Sequence, residues 1–386
     1  MDRTEKGELM IYLDNAATTS PIPLEDMYRD YEKDGWYNPS ALYKGALDVE
    51  KELTKERDLL KKIINADNMI FTSCGTESAN TIIFNGWKKE GGRKFHFITT
   101  MYEHACVYES FRELEAQGHE VTFLEPGRKG YISEEDLVKE IRDDTALIAI
   151  MHVNNETGAI NDIAALSRAA KKVKKDVLFF SDGVQGYLKV PFDMRDSEVD
   201  YYTASAHKIH GLKGTGALFF RNGTPLKAYI HGGGQERNLR SGTENTFGIY
   251  AFYKAAKDFS EHFDEYTSHM RELRDHLDEL LRKETDYVRV TPDNCAPHIL
   301  NVYFKGMRGE VLLHLLEREG IYIATGSACS SKKGNSRVHG SIGLTREMSE
   351  CVVRISFSHL NTLAETEETA LKIHEALSKF QHFIRR

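Results

Sequence analysis

Seven short apolar runs recur between residues 69 and 221: MIFTS (69–73), KFHFITT (94–100), EVTFLEP (120–126), ALIAIMHV (146–153), DVLFFSD (176–182), DYYTASA (200–206) and TGALFF (215–220). Most are separated by segments whose apolar residues repeat at helical spacing, at 77–89, 104–117, 133–142 and 163–175. This alternation limits the chain more than any other feature, because a strand followed by a crossover helix returns the next strand parallel to the first. The gap at 207–214 is too short for a crossover helix, so the last two strands should pair antiparallel and make the sheet mixed. From about residue 245 the pattern changes to long amphipathic helices. It then mixes helices with strands around NVYF (301–304), IYIAT (321–325) and CVVRISFS (351–358). The expected fold class is α/β. A large domain, 15–260, would hold a mixed, mostly parallel seven-stranded sheet between helices, and residues 1–14 with 261–386 would form a smaller α+β domain.

A chain of 386 residues is too long for one small core, which agrees with two domains. A formal net charge of -8 argues against a broad phosphate-binding surface, so no direct nucleic-acid partner is expected. The polar, charged stretch from Met1 to Met10 does not read as a signal peptide, and no apolar run reaches membrane-spanning length. The expected location is therefore cytoplasmic, away from membranes. The cysteines are Cys74, Cys106, Cys295, Cys329 and Cys351. Their odd number, with no C-x-x-C pair and no zinc-finger spacing, points to neither a disulfide framework nor a metal site. Each is a small buried hydrophobe or a reactive thiol.

Ligands of open α/β sheets bind beyond the carboxyl ends of the strands, and polar residues gather at those ends here. In FTSCGTES (71–78), Gly75 and Thr76 stand between a strand and a helix, where backbone N–H groups hold a phosphate or Thr76 or Ser73 merely caps the helix. His104 follows the next strand, as a site residue or a surface histidine. Asn154, Asn155 and Glu156 end another strand, as a site or an Asx-turn. Asp182 ends DVLFFSD with Gln185 three residues on, as site residues or another helix cap, and SAHKIHG (205–211) sets Ser205, His207 and Lys208 at the end of a buried-looking strand, as a site or an exposed turn. GGGQERNLRSGTEN (232–245) combines glycines with Arg237, Arg240 and Thr243, a loop suited to an anion. A phosphate cradle, an acid, an imidazole and a lysine are what pyridoxal 5'-phosphate (PLP) requires, and desolvation beside other cations suits the lysine to imine formation.

The sequence resembles the cysteine desulfurases of the NifS/IscS type, which are fold-type I, class V PLP enzymes. The segments that carry the resemblance are YLDNAATT (12–19), FTSCGTES, EHACV (103–107), HVNNETGAI (152–160), SDGVQ (181–185), SAHKIHGLKGTGAL (205–218), GGGQERNLRSGTEN and GSACSS (326–331), in order over nearly the whole chain. The resemblance implies that Lys208 holds PLP as a Schiff base and later moves protons. His104 would stack over the pyridine ring, Asp182 would pair with its nitrogen and Gln185 with its phenolic oxygen. Gly75, Thr76, Ser205 and His207 would bind the phosphate, and Thr243 would reach the phosphate of a neighbouring subunit in a homodimer. Asn155 and Arg354 would hold the carboxylate of L-cysteine. Cys329 would take the sulfur as a persulfide, releasing L-alanine, and pass it to a sulfur-acceptor protein, an iron–sulfur scaffold or a tRNA sulfurtransferase. No metal site is expected, as the cysteine spacing indicates. Tyr43 and Lys44 stand where the family pattern usually carries a histidine, and the stretch from Cys329 to Arg354 is slightly short. Another class V enzyme, an aminotransferase or selenocysteine lyase, would share Lys208, Asp182 and Gln185 without needing Cys329. A non-catalytic scaffold would need none of them.

Overall fold

The structure, a computed structural model, describes residues 10–88, 91–326 and 336–384. The strands are β1 (Ile11–Tyr12), β2 (Asn68–Thr72), β3 (His96–Thr100), β4 (Glu120–Leu124), β5 (Thr145–Ala149), β6 (Leu178–Ser181), β7 (Tyr201–Ser205), β8 (Gly216–Phe220), β9 (Tyr287–Arg289), β10 (Ile299–Phe304), β11 (Ile321–Tyr322), β12 (Ala324–Thr325) and β13 (Val352–Ser356). All seven apolar runs became strands of one sheet in the order β2-β8-β7-β6-β5-β3-β4. β8 pairs antiparallel with both neighbours, and every other pairing is parallel.

The two-residue period of a strand sorts its side chains between two cores. Phe97, Leu147, Phe180, Tyr201 and Leu218 join one buried cluster with Ile82, Ile83 and Phe111 from the helices Gly75–Asn85 and Ala105–Ala116. Their neighbours Ile98, Ile148, Phe179, Tyr202 and Phe219 join another with Leu166 and Phe252 from the helices Ile163–Val173 and Thr246–Glu261. Helices therefore cover both faces, which is why the runs read as continuously apolar. The helix expected over 133–142 is shorter, Glu134–Val138. Beyond it Glu140 and Ile141 bond back three residues to Leu137 and Val138, and the Thr145 hydroxyl accepts the Arg142 N–H, which tightens the chain into a turn.

A four-stranded sheet of order β12-β13-β10-β9 is antiparallel throughout. β1 pairs in parallel with β11, and Asp14 forms a parallel bridge with Ser356. The N-terminal segment then runs past the carboxyl end of β7, where Thr19 N–H donates to the His207 carbonyl.

The loop 232–245 carries three successive left-handed residues that are not glycine: Glu236 (φ 47°), Arg237 (φ 59°) and Asn238 (φ 64°). Such backbone costs about 1–3 kcal/mol per residue and persists only when its surroundings enforce it. The buried Glu236 carboxylate accepts from Arg57 at 2.6 and 2.9 Å and from the Phe71 N–H at 2.9 Å. β2 is an edge strand, so this carboxylate occupies a backbone donor the sheet leaves open. Arg240 pairs with Glu77 at 3.0 Å, and Glu77 accepts the Ser73 N–H at 2.8 Å. The loop is thereby tied to the turn between β2 and the following helix.

Candidate active site

The carboxyl ends of β2, β3, β6 and β7 converge with the N-terminal segment Asp14–Thr19. At the end of β7, Lys208 Nζ donates to the carbonyls of Ala16 at 2.7 Å and Ala17 at 2.6 Å. Burial, and then the Arg354 guanidinium, lower its amine from the ordinary lysine value to about 8, against the opposing pull of Asp14 and Asp182. His207 Nδ1 lies 3.1 Å from the Thr18 hydroxyl. Burial, followed by Lys208, Lys213 and Lys189, depresses its imidazole to about 4, so the ring is neutral near pH 7.

Asp182, past the end of β6, is buried, and its Oδ1 accepts from Val184 N–H at 3.0 Å and the Thr203 hydroxyl at 3.3 Å. Gln185 is no helix cap. Its Nε2 donates to the Ala16 carbonyl at 2.8 Å, beside Lys208, and its Oε1 lies 3.0 Å from His298 Nε2. His104 is the N-cap of the helix Ala105–Ala116, and its Nδ1 accepts the Cys106 N–H at 3.2 Å. The ring is exposed, yet desolvation is the largest influence on it and lowers its pKa. Both hold for a ring standing in an open cleft. Asp182 opposes that shift, while Lys208 and Arg337 add to it.

The turn after β2 shows what the sequence left open. Neither Ser73 nor Thr76 caps the helix Gly75–Asn85: its N-cap is Cys74, whose side chain makes no capping bond. The first-turn amides, those of Gly75 and Thr76 among them, therefore remain without a side-chain acceptor. A Cβ on Gly75 would meet Val184 Cγ2 at 2.6 Å. Asn154 does form an Asx-turn, its Oδ1 accepting from Glu156 and Thr157 N–H.

Arg354, in the middle of β13, is 8 % exposed, which rules out a solvent-facing strand arginine. Strand alternation separates it from Val353 and Ile355, but both faces are buried, since Ser356 is also enclosed. Its guanidinium donates to the Asn155 carbonyl at 2.8 Å and to Asp14 Oδ1 at 2.7 Å, while Nε is buried without a partner among the described residues. Arg354 and Asn155 are thus brought together. Thr243 is exposed in the loop 232–245. Cys329 lies outside the described residues. Asp14, Thr18, the Ala16 and Ala17 carbonyls and His298 were missed as site residues. The run LDNAATT carried a signal for the first four, a polar stretch directly after an apolar strand start, and a lone histidine before the apolar run ILNVYF marked the last.

The class-V aminotransferase profile matches residues 11–368. The chain belongs to that family. It is 35 % identical over 378 residues to a protein of Dictyoglomus turgidum named cysteine desulfurase IscS, covering 96 % of this chain and 95 % of the relative. A solved structure described as a NifS-like protein superposes with a TM-score of 0.90 at 35 % identity, covering 96 % of this chain and all of the other. A structure described as SspA in complex with cysteine does so with a TM-score of 0.81 at 29 % identity, covering 92 % and 100 %. The large sheet and its order are therefore those of a fold-type I enzyme of a PLP-dependent family.

The residues present fit PLP. Ser205 Oγ is buried with no hydrogen-bond partner among the described residues at the end of β7, beside the uncapped helix start, where a phosphate would find both. Asp182 uses Oδ1 for its protein contacts and keeps Oδ2 free for a ring N–H. Lys208 supplies the amine. A second lysine, Lys189, is also buried, has no partner for Nζ among the described residues, and is lowered to about 7, by burial first and then by Lys208.

Proposed function

We propose that this chain is a PLP-dependent cysteine desulfurase that takes sulfur from L-cysteine, leaves L-alanine and holds the sulfur as a persulfide on Cys329. The observation that carries the reading is the convergence of Lys208, Asp182, Gln185, His104 and Arg354 around the carboxyl ends of the sheet, with the Lys208 amine brought to about 8. The names of the relatives, and a cysteine complex among the structural neighbours, support the same substrate. PLP, when bound, supplies an aldehyde for amines and an electron sink for the carbon next to them.

The rest falls to the protein. Lys208 anchors the cofactor and, once displaced, carries protons to and from the substrate carbon. Burial lowers its pKa first, Arg354 adds to that, and Asp14 and Asp182 oppose it, leaving the amine able to give and take a proton near neutral pH. Asp182 holds a proton on the ring nitrogen, and Gln185 donates to the phenolic oxygen. The Gly75 and Thr76 amides, Ser205 and His207 bind the phosphate. His104, its Nδ1 engaged by Cys106, presents the other edge and the face of its ring. Arg354 binds the substrate carboxylate beside Asn155. The Cys329 thiolate attacks the substrate sulfur, the carbon–sulfur bond breaks, its electron pair passes to the β-carbon, and a proton there completes alanine. Purified protein with L-cysteine should release alanine and sulfane sulfur in equal amounts; alanine formed without sulfane sulfur would favour an aminotransferase or lyase.

Arg354→Lys should raise KM for cysteine about ten- to a hundredfold, because a bidentate charged pair worth about 1–3 kcal/mol is lost. Cofactor content should stay unchanged. Kinetics equal to wild type would remove Arg354 from the substrate site.

Residues 15–260 form the PLP domain in this reading, and 1–14 with 261–386 the smaller one that carries Cys329. Thr243, exposed on a loop fastened by the Glu236 and Arg240 pairs, reaches the phosphate of a second subunit. Sedimentation should show a dimer, and a fully loaded, active monomer would contradict it. The acceptor serves iron–sulfur cluster assembly or tRNA thiolation, to be identified by transfer of radiolabelled sulfur.

A further inference from the structure

His298 is fully buried just before β10, and its Nε2 lies 3.0 Å from Gln185 Oε1. The other end of the Gln185 amide touches the Ala16 carbonyl at 2.8 Å, the same carbonyl that accepts from Lys208 Nζ at 2.7 Å. A carbonyl only accepts, so the group facing Ala16 must be the NH2, and the group facing His298 must be the oxygen. An oxygen there requires a donor, so the ring carries its proton on Nε2 and is bare at Nδ1. Nδ1 is buried with no partner among the described residues, and a bare nitrogen there costs less than an unsatisfied N–H.

We propose that His298 is a positioning residue for the cofactor: it fixes the orientation of the Gln185 amide, so that Gln185 presents N–H, not oxygen, to the phenolic oxygen of PLP. The inference rests on the PLP reading above. Of the two Gln185 N–H groups, Ala16 takes one, and the second is the one left for the cofactor. Without His298 the amide could turn over, placing oxygen against an anionic oxygen and NH2 in a pocket without an acceptor. The charged groups around His298, namely Lys189, Arg354, Arg274 and Lys208, all disfavour protonation of its ring, and burial does so more strongly. The neutral ring with its single N–H is therefore the state that holds the amide.

The test titrates apo protein with PLP and follows the pH midpoint of the bound cofactor's visible band, in wild type, His298→Phe, His298→Gln, Gln185→Leu and the double variant His298→Phe/Gln185→Leu. A donor at the phenolic oxygen stabilises its charge and lowers that midpoint; an acceptor raises it. His298→Phe should raise the midpoint by about one pH unit and weaken PLP binding about tenfold. His298→Gln, which can place an N–H where Nε2 stood, should recover most of both. In the Gln185→Leu background His298→Phe should change neither. A full shift in that background, or none in His298→Phe alone, overturns the proposal. If His298→Phe does not fold, 15N-labelled histidine in the wild-type apo protein decides the question: a neutral ring protonated at Nε2 supports it, and protonation at Nδ1 overturns it. Wild-type protein that binds no PLP would sink the proposed function itself, an outcome distinct from either.

Discussion

Lys208→Ala should purify without covalently held cofactor and lose at least about 10²–10⁴-fold in activity, the range a positioned acid–base group contributes, with the loss of the anchor added. Borohydride reduction before denaturation should leave PLP on wild-type protein and none on the variant. The competitor is Lys189, a second buried amine, lowered to about 7 and without a partner among the described residues. Acidity alone would favour it. Position favours Lys208, which ends β7 beside Ser205 and His207 and shares the Ala16 carbonyl with Gln185. Reduced cofactor found on Lys189 would overturn the assignment. The amine also sets a pH dependence. Its pKa in the folded protein, about 8, lies below the ordinary lysine value, so the neutral, reactive form grows as pH rises to 8. The rate at which apo protein takes up PLP covalently should therefore climb about tenfold per pH unit below 8 and level off above it.

Cys329→Ser should keep its PLP and still change its visible spectrum when cysteine is added, because the amine chemistry at Lys208 does not involve the thiol. Alanine release should fall at least about a hundredfold, since a hydroxyl is a far weaker nucleophile than a thiolate, and no persulfide should form. An unperturbed thiol, pKa about 8.5, is only a few per cent ionised near neutrality. Alanine produced by Cys329→Ser at the wild-type rate would mean that the carbon–sulfur bond breaks without this thiol. Cys106 does not substitute for it: burial raises its pKa far above the ordinary cysteine range, with Asp182 adding to the shift.

The large sheet was legible because its information is local. Each of the seven runs is a strand of about five residues whose alternate side chains enter two different cores, and the short gap between β7 and β8 forces the one antiparallel strand. Lys208, Asp182, Gln185, His104 and the Gly75 turn could be singled out for the same reason: each lies within four residues of the carboxyl end of an apolar strand. What the sequence by itself determined is therefore the strand count of the large sheet, its mixed character, the strand ends on which a ligand would rest and, through its motifs, the family.

Only the tertiary structure decided which distant residues meet those ends. Asp14 and Arg354 are 340 positions apart and form a 2.7 Å pair, and Glu236 reaches back to Arg57 and the Phe71 amide across the edge of the sheet. His298 meets the Gln185 amide from across 113 positions, and nothing in the spacing of either residue foretells it. Propensity and periodicity act over a turn of helix or a few residues of strand. A buried polar partner is chosen by whatever the folded chain brings within 3 Å of a group that has lost its water, and the energy that selects it arises only once that water has gone.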